Sequence, residues 1–258
     1  MKSLVISLKT ATERREHIER QFSQQLVKYE FFDALTPDLA APLAEKMQLK
    51  VDEQLLSPGE LACFMSHVAI WKKMVDENIP YLAVFEDDVY LGENAAQFLN
   101  DAEWIQSGWD VIKLEAFSKK AILGNRVSEL ADGRSMYELR SRHLGAAGYI
   151  LSGYAAASLL AILKEHRITE PLDHILFDKI YHADLFSGLY QLQPALCMQS
   201  YLIENKNDNF GSTLEKQRVV RRKSESEART PLMKLVRELK RVWSQLNTFL
   251  FKKSIEFR

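Results

Sequence analysis

The feature that most constrains the fold is an alternation of short apolar runs with longer segments of helical pattern. Residues 2–8 and 81–85 are apolar runs of strand length, and residues 12–26 between them are rich in Glu and Arg. Apolar strands that alternate with helices are typical of a mainly parallel sheet covered by helices on both faces. The sequence therefore predicts an α/β fold.

The same pattern continues along the chain. Ser57-Pro58-Gly59-Glu60 has an N-cap residue, a proline at the first helical position and an acid in the first turn, so it predicts the start of a helix. Residues 117–135 are polar and contain turn signals, and they predict a mobile loop. Further strands are predicted at residues 29–32, 110–115, 145–152 and 190–198, and helices at residues 37–49, 58–77, 94–105 and 154–166.

Composition limits the class of protein. With 258 residues, 47% hydrophobic and 27% charged, the chain suits one sizeable globular domain with an extension. The first apolar run is too short for a signal peptide, and no run approaches the roughly 18 apolar residues of a membrane span. Cys63 and Cys197 are far apart and form no disulfide framework or Cys/His metal pattern. We therefore expect a cytoplasmic protein.

Charge divides the chain into two parts. From Glu215 onward there are thirteen Lys/Arg and five Asp/Glu, which is a net charge of +8, whereas the whole chain carries −1. The sequence thus predicts an acidic domain over residues 1–212 and a basic extension over residues 213–258. Because an acidic domain would repel phosphate backbones, we expect no nucleic acid as partner.

The extension is predicted to contain a basic amphipathic helix that starts at Thr230-Pro231. Such a helix can lie on an anionic membrane surface. Its apolar face would enter the membrane interface, and the cations of its other face would contact the anionic lipids. Docking of this helix on the acidic domain or on a second subunit is the alternative. Its apolar positions recur at intervals of three and four residues: Leu232, Leu235, Val236, Leu239, Val242, Trp243, Leu246 and Phe249.

A group of carboxylates marks a candidate site. Glu86-Asp87-Asp88 directly follows the predicted strand 81–85, and Glu115 ends the strand after it. Ligands of parallel sheets bind outside the carboxyl ends of the strands. Adjacent carboxylates there repel one another, and a bound Mg²⁺ or Mn²⁺ would relieve this cost. An acidic turn that caps the next helix explains the same residues without a metal.

Several ordered motifs resemble those of glycosyltransferase family 25, the lipooligosaccharide biosynthesis glycosyltransferases. The resemblance covers about residues 1–212, and ordered motifs are more specific than any single one. Ser7 and Ala62 differ from the family's usual Asn and Gly. The matching segments are Val5-Ile6-Ser7-Leu8 with Arg14, Pro58-Gly59-Glu60 through Cys63 to Ser66-His67, Val84-Phe85-Glu86-Asp87-Asp88-Val89, Gly145 to Ser152, and Pro171-Leu172-Asp173.

This resemblance implies a nucleotide-sugar-binding fold of the GT-A type, a UDP-sugar donor, often UDP-galactose, and a divalent metal, Mn²⁺ or Mg²⁺. It also implies a bacterial lipooligosaccharide or related glycan acceptor. The metal would be held by Asp88 with Glu86. The remaining donor contacts are expected from Ser7, Leu8, Arg14, His67, Glu86 and Asp87.

An inverting transfer also needs a general base for the acceptor hydroxyl. The resemblance points to Asp173, with Asp178 and Glu115 as rivals. An acid that merely stabilises a helix N-terminus is the other interpretation of Asp173. His143 and His182 are further histidines that could contact a metal or phosphate, although neither is favoured.

Two other functions fit parts of the sequence. The acidic cluster would also serve a Mg²⁺-dependent phosphatase or nuclease, but the first strand is followed by Ser7-Leu8-Lys9-Thr10, which lacks a nucleophilic Asp. A membrane- or nucleic-acid-binding protein that acts through its basic tail leaves the acidic domain unexplained. A glycosyltransferase held at the inner face of the bacterial inner membrane accounts for both parts.

Overall fold

The computed structural model describes residues 1–177, 188–203 and 252–258. Within these residues an eight-stranded sheet has the order β2-β1-β4-β10-β6-β12-β9-β8. The strands are β1 (Lys2–Ser7), β2 (Glu30–Asp33), β3 (Lys50–Val51), β4 (Tyr81–Glu86), β5 (Val89–Leu91), β6 (Val111–Lys113), β7 (Lys120–Ala121), β8 (Leu123–Glu129), β9 (Ser135–Leu139), β10 (Gly148–Ser152), β11 (Arg167–Ile168), β12 (Leu189–Gln193), β13 (Cys197–Gln199) and β14 (Lys253–Ser254).

The sheet is mostly parallel in strand direction. The pairs β1/β2, β1/β4 and β6/β12 are parallel. The strands β10 and β9 run against their neighbours, and all the other strands of the sheet share one direction. The predicted α/β fold is therefore confirmed, and its mainly parallel sheet is interrupted by two reversed strands.

The helices begin where the local sequence favours them. Ser57 and Glu60 form a capping box at the start of the longest helix, with Glu60 N donating to Ser57 Oγ at 3.2 Å and Ser57 N to Glu60 Oε2 at 3.0 Å. The helices are α1 (Thr12–Gln24), α2 (Pro37–Lys46), α3 (Pro58–Asp76), α4 (Ala96–Leu99), α5 (Gly153–Glu165) and α6 (Leu172–Phe177), followed by a short helix, Ser200–Ile203.

Alternate residues of the central strands enter two hydrophobic cores. Leu82 and Val84 of β4 face one core together with α2, α3 and α5. Ala83 and Phe85 of the same strand face the other core, which includes residues of α1 and α4. The sheet is thus covered on both faces, as a buried strand with apolar residues on both sides requires.

Three predicted elements differ from the structure. Residues 117–135 are not simply a loop, because β8 and β9 form an antiparallel hairpin there that joins the sheet. The predicted helix 94–105 is reduced to α4, four residues long. The predicted strand 190–198 is two strands, β12 in the main sheet and β13 paired with β5. In the first and third cases long-range strand pairing outweighs the local pattern.

The end of the chain packs on the domain. β14 pairs with β7, and Ile255 is buried in the first of the two cores. Residues 252–258 therefore belong to the body of the fold, although the sequence assigned them to a helical extension. The predicted amphipathic helix at residues 231–249 lies outside the described residues. Among the helices that are described, none is both long and apolar enough to cross a membrane.

Candidate active site

The predicted acidic residues gather at one edge of the sheet. Ile6 of β1 lies in register with Glu86 of β4, so Ser7 and the acidic motif leave the sheet side by side. The reversed strand β10 enters at the same edge, where Glu86 N donates to Ala147 O at 3.0 Å. This edge carries the carboxyl ends of the parallel strands, where the sequence placed the site.

Arg14 and Asp87 form an ion pair at this edge. Arg14 Nη1 donates to Asp87 Oδ1 at 2.7 Å, and both side chains are largely buried. Arg14 lies in the first turns of α1, directly after the loop that follows β1. The pair therefore holds a planar guanidinium, a group that can recognise phosphate oxygens, beside the acidic motif.

Glu86 and Asp88 converge on one amide. Gln199 Nε2 lies 3.3 Å from Glu86 Oε2 and 3.3 Å from both carboxylate oxygens of Asp88. Burial and, next in size, the negative charge of Glu86 together raise the pKa of Asp88 to about 7. Crowded, poorly solvated carboxylates of this kind are suited to a hard divalent cation, which removes their mutual repulsion.

His67 reaches the same place from α3. Its Nδ1 lies 2.9 Å from Tyr149 Oη, which also accepts a hydrogen bond from Trp71 Nε1 at 3.0 Å. Its Nε2 points toward Glu86, with 3.9 Å between Nε2 and Oε1. Burial lowers the pKa of His67 to about 3, although the charge of Asp173 acts in the opposite direction. The imidazole is therefore neutral at neutral pH.

Lys113 and Glu115 form a fully buried ion pair below this edge. Lys113 Nζ lies 3.0 Å from Glu115 Oε2, which also accepts from Ala147 N at 3.2 Å. Lys113 donates in addition to Gly145 O. Gly145 has φ +88°, and a Cβ there would lie 2.6 Å from Glu115 Oε2. Glu115 thus supports the segment that leads into β10.

Asp173 lies in the first turn of α6 and contacts the same segment. Its Oδ2 accepts a hydrogen bond from Gly145 N at 3.2 Å. It is also near enough to His67 for its charge to affect the pKa of that histidine. A partly exposed carboxylate that is fixed by Gly145 N and lies near His67 has the chemistry of a general base. Asp178 lies outside the described residues.

The remaining predicted residues have different surroundings. The Ser7 hydroxyl is buried and donates to the carbonyl oxygen of Leu8 at 3.4 Å, while Leu8 itself is exposed. His143 is buried and bonds Gln191 Oε1 and Ser118 N, both at 3.0 Å, so it supports the fold. His182 lies outside the described residues.

Sequence reasoning did not identify three residues that contribute to the candidate site or support it. Gln199 ends an apolar stretch, and nothing local distinguishes it from a solvated residue. Tyr149 lies within a small-residue strand, and its contact with His67 depends on the fold. Lys113 could have been found from the sequence. A lysine in an apolar strand, two residues before Glu115, lies on the same face of the strand as that acid and can pair with it.

Comparisons with known proteins agree with the motifs. The family model described as "Glycosyltransferase family 25 (LPS biosynthesis protein)" matches residues 1–176. The lipooligosaccharide biosynthesis protein lic2B of Haemophilus influenzae is 34% identical over 265 residues, which is 98% of each chain. The lacto-N-neotetraose biosynthesis glycosyltransferase LgtB of Neisseria gonorrhoeae is 38% identical over 94% of this chain and 92% of its own.

Solved structures are more remote. A glycosyltransferase involved in the glycosylation of the major capsid of PBCV-1 covers 77% of this chain and 91% of its own, with 7% identity and a TM-score of 0.42. That likeness is too distant to bear on the fold or the activity. The family match over most of the described residues, together with relatives of more than 30% identity along nearly the whole length, is decisive: the chain belongs to glycosyltransferase family 25.

Proposed function

We propose that this glycosyltransferase transfers galactose from UDP-galactose to a bacterial lipooligosaccharide or related glycan, in a metal-dependent, inverting reaction on a fold of the GT-A type. The observation that carries the proposal is the convergence of Glu86 and Asp88 on Gln199 at the carboxyl edge of the sheet, beside the Arg14–Asp87 pair. Carboxylates and a guanidinium at such an edge suit a metal-bound diphosphate.

The donor set fits Mn²⁺ or Mg²⁺. Asp88 and Glu86 offer carboxylate oxygens, and burial together with the charge of Glu86 raises the pKa of Asp88, a cost that a bound cation would offset. Asp88 would hold the metal with Glu86. When bound, a divalent cation neutralises charge on the diphosphate leaving group. Asp87 is engaged with Arg14 instead, so its role is to fix that guanidinium for the donor diphosphate.

Asp173 is the proposed base. As the acceptor hydroxyl oxygen attacks the anomeric carbon, a carboxylate must take the hydroxyl proton while the bond to the UDP oxygen breaks. The hydrogen bond from Gly145 N at 3.2 Å fixes the direction of the Asp173 carboxylate. Direct attack from the face opposite UDP inverts the anomeric configuration.

His67, Ser7 and Leu8 complete the proposed donor site. The Tyr149 and Trp71 contacts hold the His67 ring with Nε2 toward Glu86, which favours a hydrogen bond to the donor over a charged role. Ser7 is in register with Asp33, so its backbone lies at the open edge. The carbonyls of Ser7 and Leu8 already accept hydrogen bonds from Ala34 N and Ala11 N, so we expect the nucleotide contact here from the exposed Leu8, which Ser7 places at the edge, and not from the buried Ser7 hydroxyl.

The acceptor class rests on the relatives. Their names, which place them in lipooligosaccharide and lacto-N-neotetraose biosynthesis, support a bacterial surface glycan as acceptor. Such a glycolipid gives the basic segment at residues 213–251 a purpose, because a helix there would hold the enzyme peripherally at the anionic inner face of the inner membrane from the cytoplasmic side.

A donor screen tests the proposal. Purified protein is incubated with UDP-galactose, UDP-glucose and UDP-N-acetylhexosamines, with Mn²⁺, Mg²⁺ or EDTA, and release of UDP is measured. We expect UDP-galactose with Mn²⁺ or Mg²⁺ to give the fastest release and EDTA to abolish it. Release that is unaffected by EDTA would contradict the metal, and a clear preference for another sugar would contradict the donor.

A further inference from the structure

Three potential ligands of a softer metal meet beside the acidic motif. Single ligand atoms of Cys63, His67 and Glu86 all lie within 4.8 Å of one another. Cys63 and His67 are four residues apart on α3, so their side chains share one face of the helix. Glu86 ends β4 opposite that face. The group therefore combines a thiol, an imidazole and a carboxylate from two rigid elements.

His67 Nε2 is aimed into this group. The side chain is fully buried, and Nε2 has no hydrogen-bond partner among the described residues. Its nearest charged neighbour is Glu86 Oε1, 3.9 Å away, which is too far for a hydrogen bond. A buried polar atom without a partner is costly, and a ligand bound there would satisfy it.

Tyr149 gives His67 the support that metal-binding histidines usually have. In the tautomer with its proton on Nδ1, His67 donates to Tyr149 Oη at 2.9 Å and keeps the Nε2 lone pair available on the side of Glu86. Trp71 Nε1 fixes the same hydroxyl at 3.0 Å. An outer partner of this kind orients the ring and sets its tautomer.

We propose that Cys63, His67 and Glu86 form a binding site for Zn²⁺ that is distinct from the Glu86–Asp88 site for Mn²⁺ or Mg²⁺. One sulfur, one nitrogen and one carboxylate ligand, with a fourth position open to water, suit zinc, whereas thiolates disfavour the harder cations. Zinc binding displaces the thiol proton of Cys63 to solvent. Because Glu86 belongs to both sites, zinc competes with the catalytic cation and inhibits transfer; this consequence, unlike the site itself, rests on the proposed function.

Direct metal binding tests the site without any transferase assay. Full-length, metal-free protein is titrated with Co²⁺ and then with Zn²⁺, and the thiolate-to-cobalt charge-transfer absorption is followed. We expect this band in the wild type and its bleaching by Zn²⁺. Cys63→Ser should lose the band and weaken Zn²⁺ binding at least about tenfold, since a hydroxyl is a poor zinc ligand.

Two control variants and one further ligand variant identify the ligands. Asp88→Asn should keep the band, because Asp88 is outside this group, and Cys197→Ser should keep it, because Cys197 is buried in the core. Glu86→Gln should weaken Zn²⁺ binding as Cys63→Ser does. The proposal is overturned if no thiolate band appears, or if Asp88→Asn weakens Zn²⁺ binding while Cys63→Ser, still folded by circular dichroism, does not.

Discussion

Replacing Lys113 by Met should destabilise the protein severely. Lys113 Nζ and Glu115 Oε2 are 3.0 Å apart, both side chains are fully buried, and no other cation among the described residues pairs with Glu115. Removing one partner of a buried ion pair costs about 3–5 kcal/mol, because the other charge stays buried and uncompensated. For a chain of this size that corresponds to a fall of about 6–20 °C in Tm.

The change has a matched control on the surface. Lys72 and Asp76 form an ion pair of 2.7 Å on α3, but both side chains are about half exposed. Lys72→Met should therefore cost no more than about 1 kcal/mol. Urea denaturation of both variants, followed by circular dichroism, gives the two free energies of unfolding.

The effect should depend on pH in a defined direction. Burial raises the pKa of Glu115 in the folded protein, although Lys113 acts in the opposite direction. A raised carboxyl pKa means that the folded state binds more protons than the unfolded state, so stability falls as pH rises above the unfolded value of about 4.3. Without Lys113 that pKa rises further. The cost of Lys113→Met should thus be smaller at about pH 5 than at about pH 8.

A second substitution can restore stability. Adding Glu115→Gln to Lys113→Met removes the unpaired charge and keeps an oxygen for Ala147 N, so we expect at least half of the lost free energy to return. The reasoning is refuted if Lys113→Met costs no more than Lys72→Met, or if the double variant is no more stable than Lys113→Met.

The remaining predictions concern the site and the basic segment. Asp173→Asn should lower turnover about a hundredfold and leave UDP-galactose binding unchanged by calorimetry; an equal loss of both would make Asp173 a donor ligand. Mn²⁺ affinity should fall as pH drops below about 7, since the proton on Asp88 competes with the metal, and Glu86→Gln should move this midpoint to lower pH; a pH-independent affinity would argue against Asp88. Charge reversal in the triple variant R237E/K240E/R241E should abolish co-sedimentation with anionic vesicles, which high salt should also weaken in the wild type; wild-type protein that never sediments would argue for docking within the protein.

Charge reversal is a cleaner test of the basic segment than truncation. Deleting residues 231–258 would also remove Ile255 and the strand β14, which pack on the domain. Aggregation of such a truncated protein would report a damaged core instead of a lost membrane contact. Point changes at the charged positions leave the end of the chain in place.

The parts of the fold that depend on local pattern could be predicted from the sequence. The apolar runs of β1 and β4 and the capping box of α3 are encoded by neighbouring residues, and each forms where predicted. The hairpin of β8 and β9 could not be predicted in this way. Its strands are largely polar, and their place is set by the pairing of β9 with β12, about fifty residues away along the chain.

The residues of the candidate site divide in the same way, into those that the local sequence predicts and those that depend on tertiary contacts. Glu86 and Asp88 could be found because an acidic run ends a buried strand, and Arg14 because it follows the first strand. Gln199 and Tyr149 could not, since each reaches the site from a strand more than sixty residues from the acidic motif. Their roles depend on tertiary contacts, which residue type and spacing alone do not encode.

The most direct test of the central claim is transfer of galactose from UDP-galactose to a glycan acceptor by Asp88→Asn, at saturating donor and Mn²⁺. An amide is a poorer ligand than a carboxylate for a hard cation, so we expect the variant to lose most of its activity while its Tm stays near that of the wild type. Asp76→Asn, which alters an exposed acid of α3, is the matched control and should remain fully active. Near-normal turnover by Asp88→Asn would contradict the assignment of the metal and donor site to the acidic motif.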